Sequence, residues 1–215
     1  MFIPIPEEKK GAWSTRSLAV DDQGSVRQAE LVSKYGTLSF GTDDRDGHTG
    51  WRFAHSGGAV TLPYAKRNGM LWVGVLPEKR VNLGGTYLCA IGGFKRPSES
   101  HKGAAVRETA AEAGATVEPV LLPGLPAVMD RNYSEASPAS ATGCIQAYTV
   151  LVDGDRLQAV APDRSASEAA PQFFWVHPDW PSVVFVCWKE AVMKSPDLIV
   201  RAAIAQLLIH LEVDF

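Results

Sequence analysis

Two glutamates four residues apart, Glu108 and Glu112, sit near the end of the run GFKRPSESHKGAAVRETAAEAGA, from Gly93 to Ala115. The run reads as a glycine turn followed by a short helix, and side chains four residues apart share one helix face. Two carboxylates crowded there repel each other unless a cation lies between them. A hard divalent ion that prefers oxygen ligands, Mg²⁺ or Mn²⁺, meets that demand. The alternative is an amphipathic helix whose glutamates are simply solvated.

The spacing extends beyond the pair. Gly93, Glu99, Arg107 with Glu108, Glu112 and Gly114 stand at the fixed offsets of G-x5-E-x7-R-E-U-x-E-E-x-G-U, where U is a bulky aliphatic residue. The stretch resembles a Nudix box. Three positions depart from the pattern: Ala111 stands where the first glutamate of the E-E pair belongs, and Thr109 and Ala115 replace aliphatic residues. The resemblance implies metal-dependent hydrolysis of a diphosphate, with Glu108 and Glu112 as metal ligands and catalytic carboxylates. It also implies a backbone carbonyl ligand at Gly92, and Glu99 with Arg107 as a pair bracing the loop against the helix. Arg107 is in addition counted among the substrate-binding residues. Gly93 and Gly114 are the structural glycines of the box. Metal would neutralise phosphate oxygens, polarise phosphorus and lower the pKa of a bound water.

Composition sets the outer limits. The chain has 215 residues, 46% of them hydrophobic and 21% charged, with a net charge of −3, values ordinary for a soluble globular protein. That balance gives no basic footprint for nucleic acid. No apolar run reaches the roughly 20 residues of a membrane helix, and MFIPIPEEKK lacks the order of a signal peptide. Cys89, Cys144 and Cys187 are isolated and odd in number, which points to reduced thiols in a cytoplasmic protein rather than zinc or disulfides. His48, His55, His101, His177 and His210 form no spaced ligand set.

The elements that must position the box follow from pattern. Residues 1–57 look like a β-rich extension, with KYGTLSFGT and TGWRFAH as short strands around the polar turn DDRDGH. GAVTLPYA and MLWVGVLP form a hairpin through Asn68-Gly69. EKRVNLGG is a polar connection, and TYLCAIGGF a strand ending at the box glycines. The box helix runs from about Ser100 to Gly114, with Ser98 or Ser100 as N-cap and Gly114 as the left-handed closing residue. TVEPVLLP and GCIQAYTVLVD read as strands, and QFFWVHPDW as a strand entering a turn. WPSVVFVCWKEAVMK is ambiguous between strand and helix. A closing helix follows, with Ser195 as N-cap and Pro196 at its first position. Trp13, Trp51 and Trp72 fit either core packing or a base-stacking platform.

Two loops add candidates. Residues 123–141 form a long polar loop of the kind that is often functional, and its Asp130, Arg131, Tyr133 and Glu135 are within reach of a substrate. The order of hairpin, arginine-bearing loop, strand and box resembles the ADP-ribose pyrophosphatase branch of the family. That resemblance implies a phosphate contact for Arg80 and a water-activating role for Glu168, with Glu135 as the other candidate. Solvated loop charges are the alternative for Arg80 and Glu168.

These observations together predict an α/β Nudix fold, a mixed sheet sandwiched between helices, over residues 58–215, with the β-rich extension at 1–57. The function implied is hydrolysis of a nucleoside diphosphate linked to another moiety, ADP-ribose or a similar sugar nucleotide, with Mg²⁺ or Mn²⁺ as cofactor. The partner is then a small-molecule nucleotide rather than nucleic acid or membrane, and the N-terminal strands point towards a homodimer. The rival, favoured by Ala111, is a weakened scaffold that binds or senses a nucleotide.

Overall fold

The computed structural model describes residues 14–20, 22, 26–33, 36–42, 49–54, 57–80, 84–96, 98–122, 145–160 and 174–212. They fall into two compact units, and the chain passes from one to the other between Ser56 and Gly57. The first unit is an antiparallel four-stranded sheet in sequence order: β1 (Ser14–Val20), β2 (Val26–Ser33), β3 (Gly36–Thr42) and β4 (Thr49–Ala54). The sequence marks only β3 and β4. Two register shifts interrupt the β1–β2 pairing, and such irregularities scramble the alternation by which a strand is recognised. The expected DDRDGH turn lies outside the described residues.

The second unit is built on β5 (Gly58–Arg67) and β6 (Met70–Arg80), joined by a tight turn in which Asn68 and Gly69 both have positive φ, 52° and 72°. This is the two-residue geometry that matches strand twist. After them come β7 (Gly85–Cys89), β8 (Ile91–Phe94), α1 (His101–Glu108) running into a π-helical turn (Thr109–Ala113), and β9 (Val120–Leu121). The chain continues with β10 (Ile145–Leu151), β11 (Gln158–Val160), β12 (Phe174–His177), β13 (Trp180–Cys187), α2 (Trp188–Lys194) and α3 (Leu198–His210). The sheet order is β11-β12-β13-β6-β5-β10-β9, with β7 on β6 and β8 on β5. β10 runs parallel to β5 while β6 and β8 run antiparallel to it, so the sheet is mixed.

β5 is buried along most of its length, which requires cover on both faces. Successive residues point to opposite faces. Val60, Leu62 and Tyr64 join Val200, Ala203, Ile204, Leu207 and Leu208 of α3 in the larger core. Ala59, on the other face, packs with Ala104 and Ala105 of α1. Helices therefore sandwich a mixed sheet, as the sequence predicts. Among the described residues no helix is long and apolar enough to cross a membrane.

Four local expectations change. EKR belongs to β6, which pairs with β7 as far as Arg80 opposite Gly85. The expected strand TYLCAIGGF breaks at Ala90, whose amide donates to Asp197 Oδ2 at 3.4 Å; its halves pair with different strands. The strand expected in TVEPVLLP shrinks to Val120–Leu121. Asp197, not Ser195, caps α3, its Oδ1 accepting from Ile199 N at 2.9 Å. The ambiguous WPSVVFVCWKEAVMK resolves into both readings, β13 followed directly by α2. Trp72 meets Trp175 edge-on at 5.6 Å, on the core-packing side of its two readings.

Ser195 has a different task. It is fully buried, its Oγ donates to Leu88 O at 2.6 Å, and the same oxygen accepts from Asp197 N at 3.1 Å. It thus ties the start of α3 to β7. Ser195→Ala removes a buried bond and leaves a carbonyl without that donor, which is worth about 1–3 kcal/mol. Urea unfolding is expected to show an unfolding free energy lower by that amount, seen as a lower midpoint at unchanged slope; an unchanged midpoint would contradict the anchoring role.

Candidate functional site

The box stretch begins on β8. Gly92 and Gly93 pair with Val60 and Ala59 of β5. Gly92 has φ 155°, and a Cβ there would lie 2.2 Å from Ala59 O. A Cβ on Gly93 would lie 2.6 Å from Glu108 Oε1. A side chain at Gly92 would collide with the backbone of β5, and one at Gly93 would displace the Glu108 carboxylate, so the first glycine permits the strand pairing and the second leaves room for the glutamate.

Ser100 caps α1, its Oγ accepting from Gly103 N at 3.0 Å, one of the two caps that the sequence allows. Ala104, Ala105, Thr109 and Ala113 are buried under the sheet side of the helix. Gly114 closes it in the left-handed conformation at φ 70°. The last turn, Thr109–Ala113, is π-helical. Such widened turns occur mostly as single turns and often at functional sites. The sequence carries no evident mark of the π turn.

Arg107 reaches back across the loop. Its Nε and Nη2 donate to the two oxygens of Glu99 at 2.8 Å each. Nη2 also donates to Phe94 O at 3.0 Å, and Nη1 to Glu108 Oε1. Glu99 accepts a further bond from Arg96 N at 2.8 Å. This is the bidentate pairing that a planar guanidinium favours. The hydrogen bonds from Arg107 hold the Glu99 carboxyl down to about 2, with the Arg96 amide adding to the effect against partial burial. Glu99 in turn raises the Arg107 guanidinium further above its ordinary value.

Glu112 is exposed, and its Oε2 accepts from Gly92 N at 2.9 Å. The helix thus brings Glu108 to Gly93 and Glu112 to Gly92, two carboxylates set along one glycine edge. Their oxygen donors fit a hard divalent ion. Among the described residues no group of three or more His, Cys, Asp or Glu gathers to hold a metal. A divalent ion held here would have Glu108 and Glu112 as its side-chain donors and would need backbone, water or phosphate oxygens to complete its shell.

The other sequence candidates are not brought to this site by the described structure. Arg80 ends β6, and nothing is described of its side chain. Asp130, Arg131, Tyr133, Glu135 and Glu168 lie outside the described residues. Sequence reasoning missed the Phe94 carbonyl and the Arg96 amide, because backbone acceptors and donors leave no trace in residue identity.

A cavity of about 620 Å³ opens just past the C-terminal end of the helix, lined by Gly114, Val117, Val152, Arg156, His177 and Trp180 among others, but by neither Glu108 nor Glu112. His177 is buried; its Nδ1 accepts from Asp179 N at 3.1 Å, and its Nε2 has no hydrogen-bond partner among the described residues. Burial, then Arg156, pushes its imidazole below the ordinary 6.5.

No family model matches this chain, and no curated protein matches it. Solved structures do, and many of them are Nudix proteins. A Caenorhabditis elegans Ap4A hydrolase is 14% identical, with 73% of this chain and 98% of that one covered at a TM-score of 0.42. The Nudix domain of a Shewanella oneidensis protein solved with ADP-ribose is 12% identical, with 72% and 86% covered at 0.43. An ADP compounds hydrolase is 13% identical, with 94% and 95% covered at 0.45. The likeness is one of fold.

The Arg107–Glu99 pair makes a pH prediction. Glu99 titrates at about 2 in the folded chain against an ordinary 4.5, so on acidification the unfolded chain takes up the proton first. The pair's contribution is complete above pH 4.5 and is lost as pH falls towards 2. Glu99→Gln is expected to lower stability at pH 7 and to flatten the fall between pH 4.5 and 2. Urea midpoints measured across that range check this; parallel curves for wild type and variant would sink it.

Proposed function

We propose that this chain is a Nudix-type pyrophosphohydrolase that cleaves a nucleoside diphosphate linked to another moiety, with ADP-ribose first among substrates. The observation that carries the reading is the convergence of Glu108 and Glu112 on Gly92 and Gly93, in a stretch whose spacing from Gly93 to Gly114 is that of the box. The substrate choice rests on the order of hairpin, Arg80, strand and box.

On this reading Glu108, Glu112 and the Gly92 carbonyl hold Mg²⁺ or Mn²⁺. The ion, when bound, supplies charge neutralisation and acidifies water. Glu168 or Glu135 accepts the proton of the attacking water. Oxygen bonds to one phosphorus, the bridging P–O bond breaks, and ADP-ribose leaves as AMP and ribose phosphate. Arg80 and Arg131 contact phosphate, Asp130 and Tyr133 the remaining substrate, and Arg107 orients Glu108 while bracing Glu99. The N-terminal strands pair two copies into a homodimer, and the reduced thiols of Cys89 and Cys187 fit a cytoplasmic setting.

A second reading is kept because Ala111 is exposed where the box has a carboxylate. It makes the chain a nucleotide-binding or sensing module with the same seat. One assay separates the two. Incubation with ADP-ribose and Mg²⁺ is expected to release AMP. Glu112→Gln should lower kcat by about 100-fold, since metal stabilisation of developing charge is worth several kcal/mol. Binding of ADP-ribose and Mn²⁺ without any AMP would favour the module, and full activity in Glu112→Gln would overturn the ligand assignment.

A further inference from the structure

Thr109 lies between the two site carboxylates, where the box pattern has an aliphatic residue. It is 0% exposed, and its Oγ1 donates to Thr61 Oγ1 at 2.9 Å. Thr61, at 1% exposure, is on β5 opposite Ile91 of β8, the residue before Gly92. The bond therefore spans from the turn that carries Glu108 and Glu112 to the same sheet segment that carries the glycine edge.

The surroundings give this bond its weight. The helix meets the sheet through Ala59, Ala104 and Ala105, with Tyr148 beside them, and Ala113 is buried one turn after Thr109. Alanine methyls fill space but set neither the rotation nor the axial position of a helix, because dispersion contacts are not directional. A hydrogen bond between two buried hydroxyls is directional, and once its partner is removed a buried hydroxyl has no water to turn to. A threonine inside a helix commonly bonds the carbonyl one turn back; here the hydroxyl is turned outward onto the sheet. It sits at the first residue of the π turn, where helix geometry changes just before Glu112.

We propose that Thr61 and Thr109 are positioning residues: their hydroxyl pair fixes the rotation and depth of the helix turn, and so the spacing of Glu108 and Glu112 over Gly92 and Gly93. This inference rests on the reading of those two glutamates as a divalent-cation seat. Neither threonine touches the ion. Thr109 acts through Glu108 and Glu112 on its own stretch of helix, and Thr61 acts through Thr109, as outer-shell groups do when they set ligand geometry.

The test measures Mn²⁺ binding to the full chain by calorimetry and by the loss of the free-ion electron paramagnetic resonance signal, beside urea unfolding of each variant. Thr109→Val and Thr61→Val keep the shape and remove one hydroxyl, and each is expected to weaken Mn²⁺ binding about 10-fold. The double variant should be no weaker than the singles, and Thr109→Ser should restore affinity. Variants that remain folded and bind Mn²⁺ as tightly as wild type would overturn the positioning role, even if their urea midpoints drop. If wild type itself binds no Mn²⁺, the cation seat fails and this proposal with it, an outcome distinct from the first.

Discussion

The second unit turns on a steric allowance. At Gly92 and Gly93 the space that a Cβ would occupy is already filled, at one residue by the Ala59 carbonyl and at the other by the Glu108 carboxylate. A strand normally keeps a helix at side-chain distance. Here two successive residues lack side chains, and carboxylates from the helix reach the strand backbone itself. The Arg107 contacts to Glu99, Phe94 and Glu108 tie the intervening loop to the helix. A Cβ at Gly92 would press on β5, and one at Gly93 would displace the Glu108 carboxylate.

The two faces of the sheet are held by different physics. Towards α3 the sheet presents Val60, Leu62 and Tyr64 to Val200, Ile204, Leu207 and Leu208. Each such side chain contributes roughly 1.5–3 kcal/mol on burial, so this face supplies mass and fixes where β5 lies. Towards α1 itself the contacts are Ala59, Ala104 and Ala105 with Tyr148, each alanine adding about one methyl group, or roughly 0.8 kcal/mol. Past Thr109 the helix end joins a second core, where Ala113 packs with Ile91, Val183, Phe185 and Trp180. Directional contacts add to these: the Thr61–Thr109 bond, the guanidinium pair, and Glu112 on the Gly92 amide. The helix is thus seated by small apolar contacts together with charged and hydroxyl hydrogen bonds, the Arg107–Glu99 pair among them.

The sequence was most legible where a local rule had no competitor. Asn68-Gly69 between apolar runs gave the hairpin, and Ser100 and Gly114 bounded the box helix. The resemblance to the Nudix box also implies Arg107 and Glu99 as a pair, and the two are hydrogen-bonded. It was least legible where tertiary contacts outbid local preference. Ser195 and Asp197 both suit a helix cap by type, but Ser195 is drawn to the Leu88 carbonyl and leaves the cap to Asp197. TYLCAIGGF has strand composition throughout, yet Asp197 takes the Ala90 amide and the two halves go to different neighbours. The π turn follows from no single residue type. For Asp130, Arg131, Tyr133, Glu135 and Glu168, which lie outside the described residues, residue type says what a side chain can do and nothing about where it stands.

The departure at Ala111 has a geometric meaning. The side of the helix facing the sheet is marked by buried Ala105, Thr109 and Ala113, whereas Ala111 is exposed. Glu108 and Glu112 reach the glycine edge without a carboxylate at 111. On the proposed reading, a seat trimmed in this way still has the inner ligands that orient an ion against phosphate. What it loses is charge with which to hold a second ion, and that loss bears on affinity and ion number before it bears on the place where water meets phosphorus.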